Sequence, residues 1–267
     1  MNSKKTFGVL SLSGGLDSTS LLLNMLEKGM EVKCLSFNYG QKHKIELERV
    51  QKNIQYLKSQ GYDIEHNIID ISVLGKLYNS ALTTDGIDVP EGHYAQENMK
   101  LTVVPNRNAI FSSMIYGYAL SLVKDLDDVN ALIALGIHAG DHAIYPDCRQ
   151  EFRDALGYAF KIGNWDSEKV EYYTPYIDGN KFTILQEAQV NCQKLGLDFN
   201  TIFNNTNTCY NPNSNGESCG KCGSCQERLL AFNELGVVDP VLYSSDYNDL
   251  IKNVLESEKN FQNSKEN

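Results

Sequence analysis

The sequence lacks a long apolar run. No segment approaches the roughly 18 consecutive apolar residues that a membrane-spanning helix needs. Its first residues, MNSKKTFGVLSLSGG, carry no extended apolar stretch of the secretory kind, so the expected compartment is cytoplasmic. Positive charge is also scarce. Lys and Arg number 24 against 34 Asp and Glu, a formal net charge of −10. Generic nucleic-acid binding rests on a basic surface, so no direct nucleic-acid partner and no membrane partner is expected. No internal repeat is visible. The ordinary NTPase loop, G-x-x-x-x-G-K-[ST], is absent as well. Disorder is excluded by the 42% of hydrophobic residues.

The 267 residues suffice for one large α/β domain with a small appendage, and are too few for three ordinary domains. Short apolar runs predict strands over 7–13, 31–37, 63–70, 129–137 and 170–177. Helical periodicity falls over 16–28, 109–124, 150–160, 183–195 and 226–235. A charged helix is expected over 41–59, with Lys42/Glu46 and Lys44/Glu48 paired at i,i+4. Residues 83–102 read as a long binding loop or lid, and 138–149 as a polar loop. Alternating strands and helices predict a parallel, doubly wound, Rossmann-like sheet, with its ligand site beyond the carboxyl ends of the strands. The expected division is a nucleotide-binding and substrate domain over 1–200, a cysteine knuckle with its helix over 201–240, and a polar tail over 241–267. In that tail, 247–255 reads as an amphipathic helix with a frayed end.

Ser13-Gly14-Gly15-Leu16-Asp17-Ser18 lies between the first strand and its helix. Two glycines let the backbone turn tightly and approach an anion. The free amides of the helix start, and its dipole, favour a phosphate there. Ser13 and Ser18 add hydroxyl donors. Asp17, a carboxylate beside phosphates, makes sense as a ligand of Mg²⁺. A Gly-Gly turn with an Asp/Ser cap is the bland alternative.

Seven cysteines, an odd number, do not suggest a disulfide framework. Cys209, Cys219, Cys222 and Cys225 form a C-x9-C-x2-C-x2-C cluster. Four thiolates close a tetrahedral shell, so a structural Zn²⁺ is expected, with an Fe–S cluster as the competitor. Cys34 and Cys192 read as small core residues, and Cys148 lies in the polar loop.

The phosphate-loop string resembles the SGGxDS signature of the PP-loop ATP pyrophosphatases, which cleave ATP between its α- and β-phosphates and adenylate an oxygen. Four further strings follow in order: Phe37-Asn38-Tyr39-Gly40-Gln41-Lys42-His43, Val104-Pro105-Asn106-Arg107-Asn108, Tyr145-Pro146-Asp147-Cys148-Arg149, and Thr208-Cys209-Tyr210 with the cysteine tail. Together they resemble the 7-cyano-7-deazaguanine synthase family of the queuosine pathway, over about residues 7–235. That family takes 7-carboxy-7-deazaguanine, ATP and ammonia, forms the amide, then activates it again and eliminates to the nitrile. The resemblance implies that Ser13, Gly14, Gly15, Leu16, Asp17 and Ser18 hold ATP and its Mg²⁺. Phe37, Tyr39, Gln41 and His43 would lie near the nucleotide or substrate. Arg107, with Asn108, would meet phosphate or carboxylate charge. Tyr145, Asp147 and Arg149 would hold the deazaguanine, and Lys181 matches a basic position. Physical chemistry agrees in part: a carboxylate such as Asp147 can accept from adjacent N–H groups of a guanine-type edge, and a Tyr ring can stack on a base. Family members are often homodimers.

The chain departs from that family's pattern in the expected substrate loop. A Thr-Asp-Phe/Tyr-Ser-Gly stretch is replaced by His138-Ala139-Gly140-Asp141-His142-Ala143-Ile144, which keeps the acid at Asp141 and adds two histidines. The usual Gly before Arg107 is Asn106. His138 or His142 could take a proton from an attacking amine near neutral pH. The departures keep open a branch similar to this family, linked to anti-phage defence, that joins the deazaguanine to a protein amine. A His138-x3-His142 zinc site, a tRNA-thiolating PP-loop enzyme and a non-enzymatic zinc module are further alternatives. Each explains less of the sequence.

Overall fold

The computed structural model of the chain describes residues 5–265, and of Asp141, His142 and Lys265 the backbone alone. Five parallel strands form one sheet: β1 (Lys5–Ser11), β2 (Glu31–Asn38), β3 (Glu65–Asp70), β4 (Val129–Ala134) and β5 (Val170–Tyr173). Their order is β3-β2-β1-β4-β5, so the chain winds outward from β1 in both directions. The expected doubly wound parallel α/β fold is observed. Its crevice is due at the carboxyl ends of β1 and β4, where the winding reverses.

The period-2 geometry of a strand explains the two cores. In β1, Phe7 and Val9 point to one face, and Leu10, followed by Leu12, to the other. One face receives α1 (Leu16–Glu27), α2 (Ile45–Ser59), α5 (Lys181–Leu195), α6 (Phe199–Asn204) and part of α7 (Gly223–Leu235). The other receives α3 (Arg107–Val123), residues of the 78–104 segment and part of α4 (Gln150–Gly163). Leu21, Leu22 and Leu23 of α1 are essentially sealed from water, each worth about 1.5–3 kcal/mol of burial. The space a Cβ on Gly8 would take is filled by the end of the Met25 side chain of α1.

Three expectations are corrected. The helix expected over 41–59 begins only at Ile45, because Gln41 and His43 turn into the interior. The Lys42/Glu46 pair does not form. Lys42 Nζ donates to the Ile87 carbonyl at 2.8 Å, and Glu46 is buried. The terminal helix, α8 (Tyr247–Lys265), is twice the expected length. Leu250 and Val254 of α8 are buried against Leu229 of α7, and Phe261 stacks on His93 at 3.7 Å. The short helix α6, N-capped by Asp198, adds to the expected elements. No helix of the described residues is long and apolar enough to cross a membrane.

Candidate functional site

Between β1 and α1 the chain makes a cradle of backbone. Gly14 has φ +85°, and a Cβ there would come within 2.6 Å of the Glu46 carbonyl oxygen. Glycine is required on both counts. Gly15 is the N-cap of α1, with no side chain on the helix amides. Ser13 Oγ accepts from the Gly15 N–H at 3.3 Å and lies 3.0 Å from Ser18 Oγ. The Asn207 N–H donates to the Gly14 carbonyl at 2.8 Å, tying the loop to the segment before the cysteines. Gly136, just beyond β4, lets that strand's end abut the first turn of α1, since its Cβ would lie 2.8 Å from the Ser18 nitrogen.

Asp17 sits at the helix start. Its Oδ2 accepts from Lys181 Nζ at 2.8 Å, while Oδ1 is buried with no hydrogen-bond partner. Burial would raise its pKa, but the Lys181 ammonium and then His138 outweigh that and hold it below the usual carboxylate range. An ionised carboxylate with a spare oxygen at a phosphate cradle suits a hard divalent cation.

A cavity of about 170 Å³ opens over this cradle, at the carboxyl ends of β1 and β4. Ser13, Gly15, Asp17, Ser18 and Lys181 line one wall, and Tyr39, His43, Arg107, Asn108 and Tyr145 the other. Five sequence strings are therefore brought together. Tyr94, Phe111, Tyr210, Asn207 and Glu46 also line it, as does Cys148 of the Tyr145–Arg149 string. Of these, Tyr210 lies inside a quoted string, whereas Tyr94 and Glu46 carry no local signal.

The second wall is a mesh of aromatic and charged groups. Arg107 Nη1 donates to the Tyr39 hydroxyl at 3.3 Å, and the guanidinium lies 5.6 Å from that ring's centre. The Tyr145 hydroxyl pairs with Thr102 at 2.5 Å and lies 3.4 Å from that of Tyr210. Glu46 accepts from Gln41 Nε2 at 2.7 Å. Burial pushes its pKa up to about 8 against the opposing effects of Gln41 and Arg107. His43 Nε2 lies 3.4 Å from Glu46 Oε2. Burial and then Arg107 lower the His43 pKa to about 3, so the ring is neutral at physiological pH. Asn106, at φ +59°, begins α3 in the left-handed region that Asn adopts more readily than most non-glycine residues, so the replacement is compatible with the turn that leads into Arg107.

Other expected residues lie elsewhere. Leu16 is sealed in the core, and Phe37 stacks on Phe111 at 4.2 Å. Gln41 is fully buried behind the wall. Asp147 does not line the cavity; its Oδ2 accepts from the Asn108 N–H at the start of α3, at 3.4 Å. Arg149 is exposed at the start of α4. His138 is completely buried behind Asp17 and Lys181 rather than in the cavity wall. The side chains of Asp141 and His142 lie outside the described residues. Ile144 packs into the core and Ala143 is exposed, so neither lines the cavity.

The four cysteines converge, with all sulfurs within 4.8 Å of one another. A tetrahedral Zn–S shell of about 2.3 Å bonds requires sulfurs about 3.8 Å apart, so the cluster fits such a metal. Backbone N–H groups of Asn211 and Cys219 donate to Cys209 Sγ at 3.3 and 3.2 Å, as a thiolate invites. Next to the cluster, Arg228 is fully buried and grips Asp239 through two bonds of 2.6 and 2.8 Å, with further bonds to Thr206 and the Phe203 carbonyl. This clamp joins α7 to the segments on both sides, and no sequence motif singles it out.

Comparison with known proteins gives a consistent result. The family model described as queuosine biosynthesis protein QueC matches residues 8–236. The 7-cyano-7-deazaguanine synthase of Hahella chejuensis is 45% identical over 237 residues, spanning 89% of this chain and 93% of that protein. That of a Marinomonas species is 44% identical over 238 residues, spanning 89% and 98%. That of Methanoregula boonei is 43% identical over 235 residues, spanning 88% and 98%.

Proposed function

The chain belongs to the queuosine biosynthesis protein QueC family, and on that premise we propose that it is an ATP-dependent C–N ligase acting on 7-carboxy-7-deazaguanine. It adenylates the carboxylate, couples it to ammonia, and repeats the activation on the amide to give 7-cyano-7-deazaguanine. The observation that carries this reading is the single cavity in which the phosphate cradle faces Arg107 and the tyrosine wall.

The cradle's amides and the Ser13 and Ser18 hydroxyls hold the phosphates of ATP. Asp17 would hold Mg²⁺, which would supply positive charge beside the phosphates. Lys181 adds a fixed positive charge on the same side, and Arg107 meets the carboxylate or the α-phosphate from the opposite wall. The tyrosines sandwich the base and exclude water from the adenylate. Asp147 acts indirectly, by fixing the start of α3 that carries Arg107 and Asn108. Cys209, Cys219, Cys222 and Cys225 would hold a structural Zn²⁺, which would cross-link the 209–225 segment bearing Tyr210. The same reading takes 1–200 as the catalytic domain, 201–240 as the knuckle, and the cytoplasm as the compartment. It also takes a homodimer as the working form, buried through the exposed Tyr158, Ile162 and Trp165 of and beside α4.

Pyrophosphate release tests the reading. With ATP, Mg²⁺ and ammonia, release should depend on the carboxylated base, and the product mass should be that of the nitrile. No release at saturating base would refute it. A product stopping at the amide, or a base-sized adduct on a protein, would refute the nitrile assignment in favour of another nucleophile or end point.

A further inference from the structure

We infer that Glu227 is a positioning residue for this reaction: it keeps the Lys181 ammonium at the phosphate cradle while Asp17 is engaged with the cation that accompanies ATP. The inference rests on the ligase reading above. Lys181 is the first residue of α5, the end of a helix that carries partial positive charge, and its side chain is 5% exposed. An ammonium is disfavoured there without carboxylates beside it. Asp17 Oδ2 lies 2.8 Å away and Glu227 Oε2 3.1 Å away, on opposite elements of the fold.

The two carboxylates are not equivalent. Asp17 stands in the cradle and accepts a hydrogen bond from Lys181 on Oδ2, while its Oδ1 is buried without a hydrogen-bond partner; Glu227 Oε2 is buried too and meets Lys181 as an ion pair rather than a directed hydrogen bond. Glu227 stands on α7 and does not line the cavity. A cation that shares the Asp17 charge weakens that residue's hold on Lys181 and repels the ammonium as well. Glu227 then supplies the attraction that keeps Lys181 in register with the phosphates.

Glu227 is itself fixed. His138 Nε2 lies 3.8 Å from its Oε1, and the ring is oriented by the Gly140 N–H, which donates to Nδ1 at 3.1 Å. Gly140 leaves the space beside its backbone to these two side chains: a Cβ there would lie 2.7 Å from both Glu227 Oε1 and His138 Cε1. The neighbouring Arg228 is clamped by Asp239. Glu227 follows Cys225 by two positions, so the cysteine knuckle is mechanically tied to the catalytic centre.

The test uses full-length, metal-loaded protein with Glu227→Gln and Glu227→Asp. One readout does not need turnover: acetylation of Lys181 by acetic anhydride, followed by mass spectrometry with Mg²⁺ and a non-hydrolysable ATP analogue bound. A loosened ammonium should label about five-fold faster in Glu227→Gln than in wild type, with Glu227→Asp between them. In pyrophosphate release, kcat should fall about 10-fold or more in Glu227→Gln while KM for ATP stays within about three-fold, because a misplaced group costs the transition state most. Zinc content should not change. Labelling and kcat both within about two-fold of wild type would overturn the inference. If Glu227→Gln does not fold, the same comparison with Glu227→Asp decides it, a wild-type labelling rate being the negative result. If wild type itself releases no pyrophosphate, the ligase reading fails and the labelling arm still decides the role of Glu227.

Discussion

The two walls of the cavity are made of different materials. The phosphate cradle is backbone: amides, two glycines and a helix start, all within six residues. The opposite wall is side chain, assembled from Tyr39, His43, Glu46, Arg107, Tyr145 and Tyr210 on four separate segments. A backbone site tolerates loss of a side chain but not a change of main-chain conformation. A side-chain site responds in the reverse way. The difference also decides which wall a sequence reveals.

The largest effect expected is at the main chain. Gly14→Ala forces a left-handed residue and a contact with the Glu46 carbonyl, costing about 1–3 kcal/mol for the conformation alone. Pyrophosphate release should fall by about 10²-fold or more as the cradle distorts. Near-wild-type turnover would show that the cradle is not what holds ATP. Arg107→Met should lower kcat/KM by about 10²-fold with little change in melting temperature, since the second wall works through side chains. Arg107→Lys should recover only part of that, because it lacks the planar fork.

A pH profile sharpens the same contrast. Glu46 is buried with a pKa near 8, above its unfolded value. The stability this group contributes is fully present below the unfolded pKa and is lost as pH rises through about 8. Glu46→Gln removes that loss, so its melting temperature relative to wild type should climb between roughly pH 4.5 and 8. A constant difference across that window would contradict a buried, proton-bearing Glu46. The smallest effect is expected at Ser13→Ala. The hydroxyl's hydrogen bonds are worth about 1 kcal/mol, so activity should fall less than about 10-fold and fall less than in Arg107→Met.

The sheet and the cradle were legible because each is written locally. A short apolar run, two glycines and an Asp-Ser helix start occupy adjacent positions, and the alternation of strands and helices implies a parallel, doubly wound sheet, whereas the order of its strands was seen only in the fold. The four-cysteine cluster is legible for the same reason. The second wall was legible only in part. Gln41, His43 and Glu46 look like an exposed, charged helix start, and nothing in their spacing tells that all three are buried. Tyr94 is placed by folding of the 83–102 loop, with His93 bonded to Glu258 and stacked on Phe261. Asp147 reads as a base-edge acceptor because its type suits one; in the fold its carboxylate is committed to the start of α3. Glu227 and Arg228, hidden in an ordinary helix after the cysteines, acquire meaning only through Lys181 and Asp239, 46 and 11 positions away.

The central claim is that the carboxylate oxygens of the base are transferred to AMP in this cavity. The most direct measurement uses 7-carboxy-7-deazaguanine labelled with oxygen-18 in both carboxylate positions, with mass analysis of the AMP formed. The account predicts that every AMP carries one heavy oxygen: one released on forming the amide, the other on forming the nitrile. AMP free of label, accumulating with turnover, would contradict it.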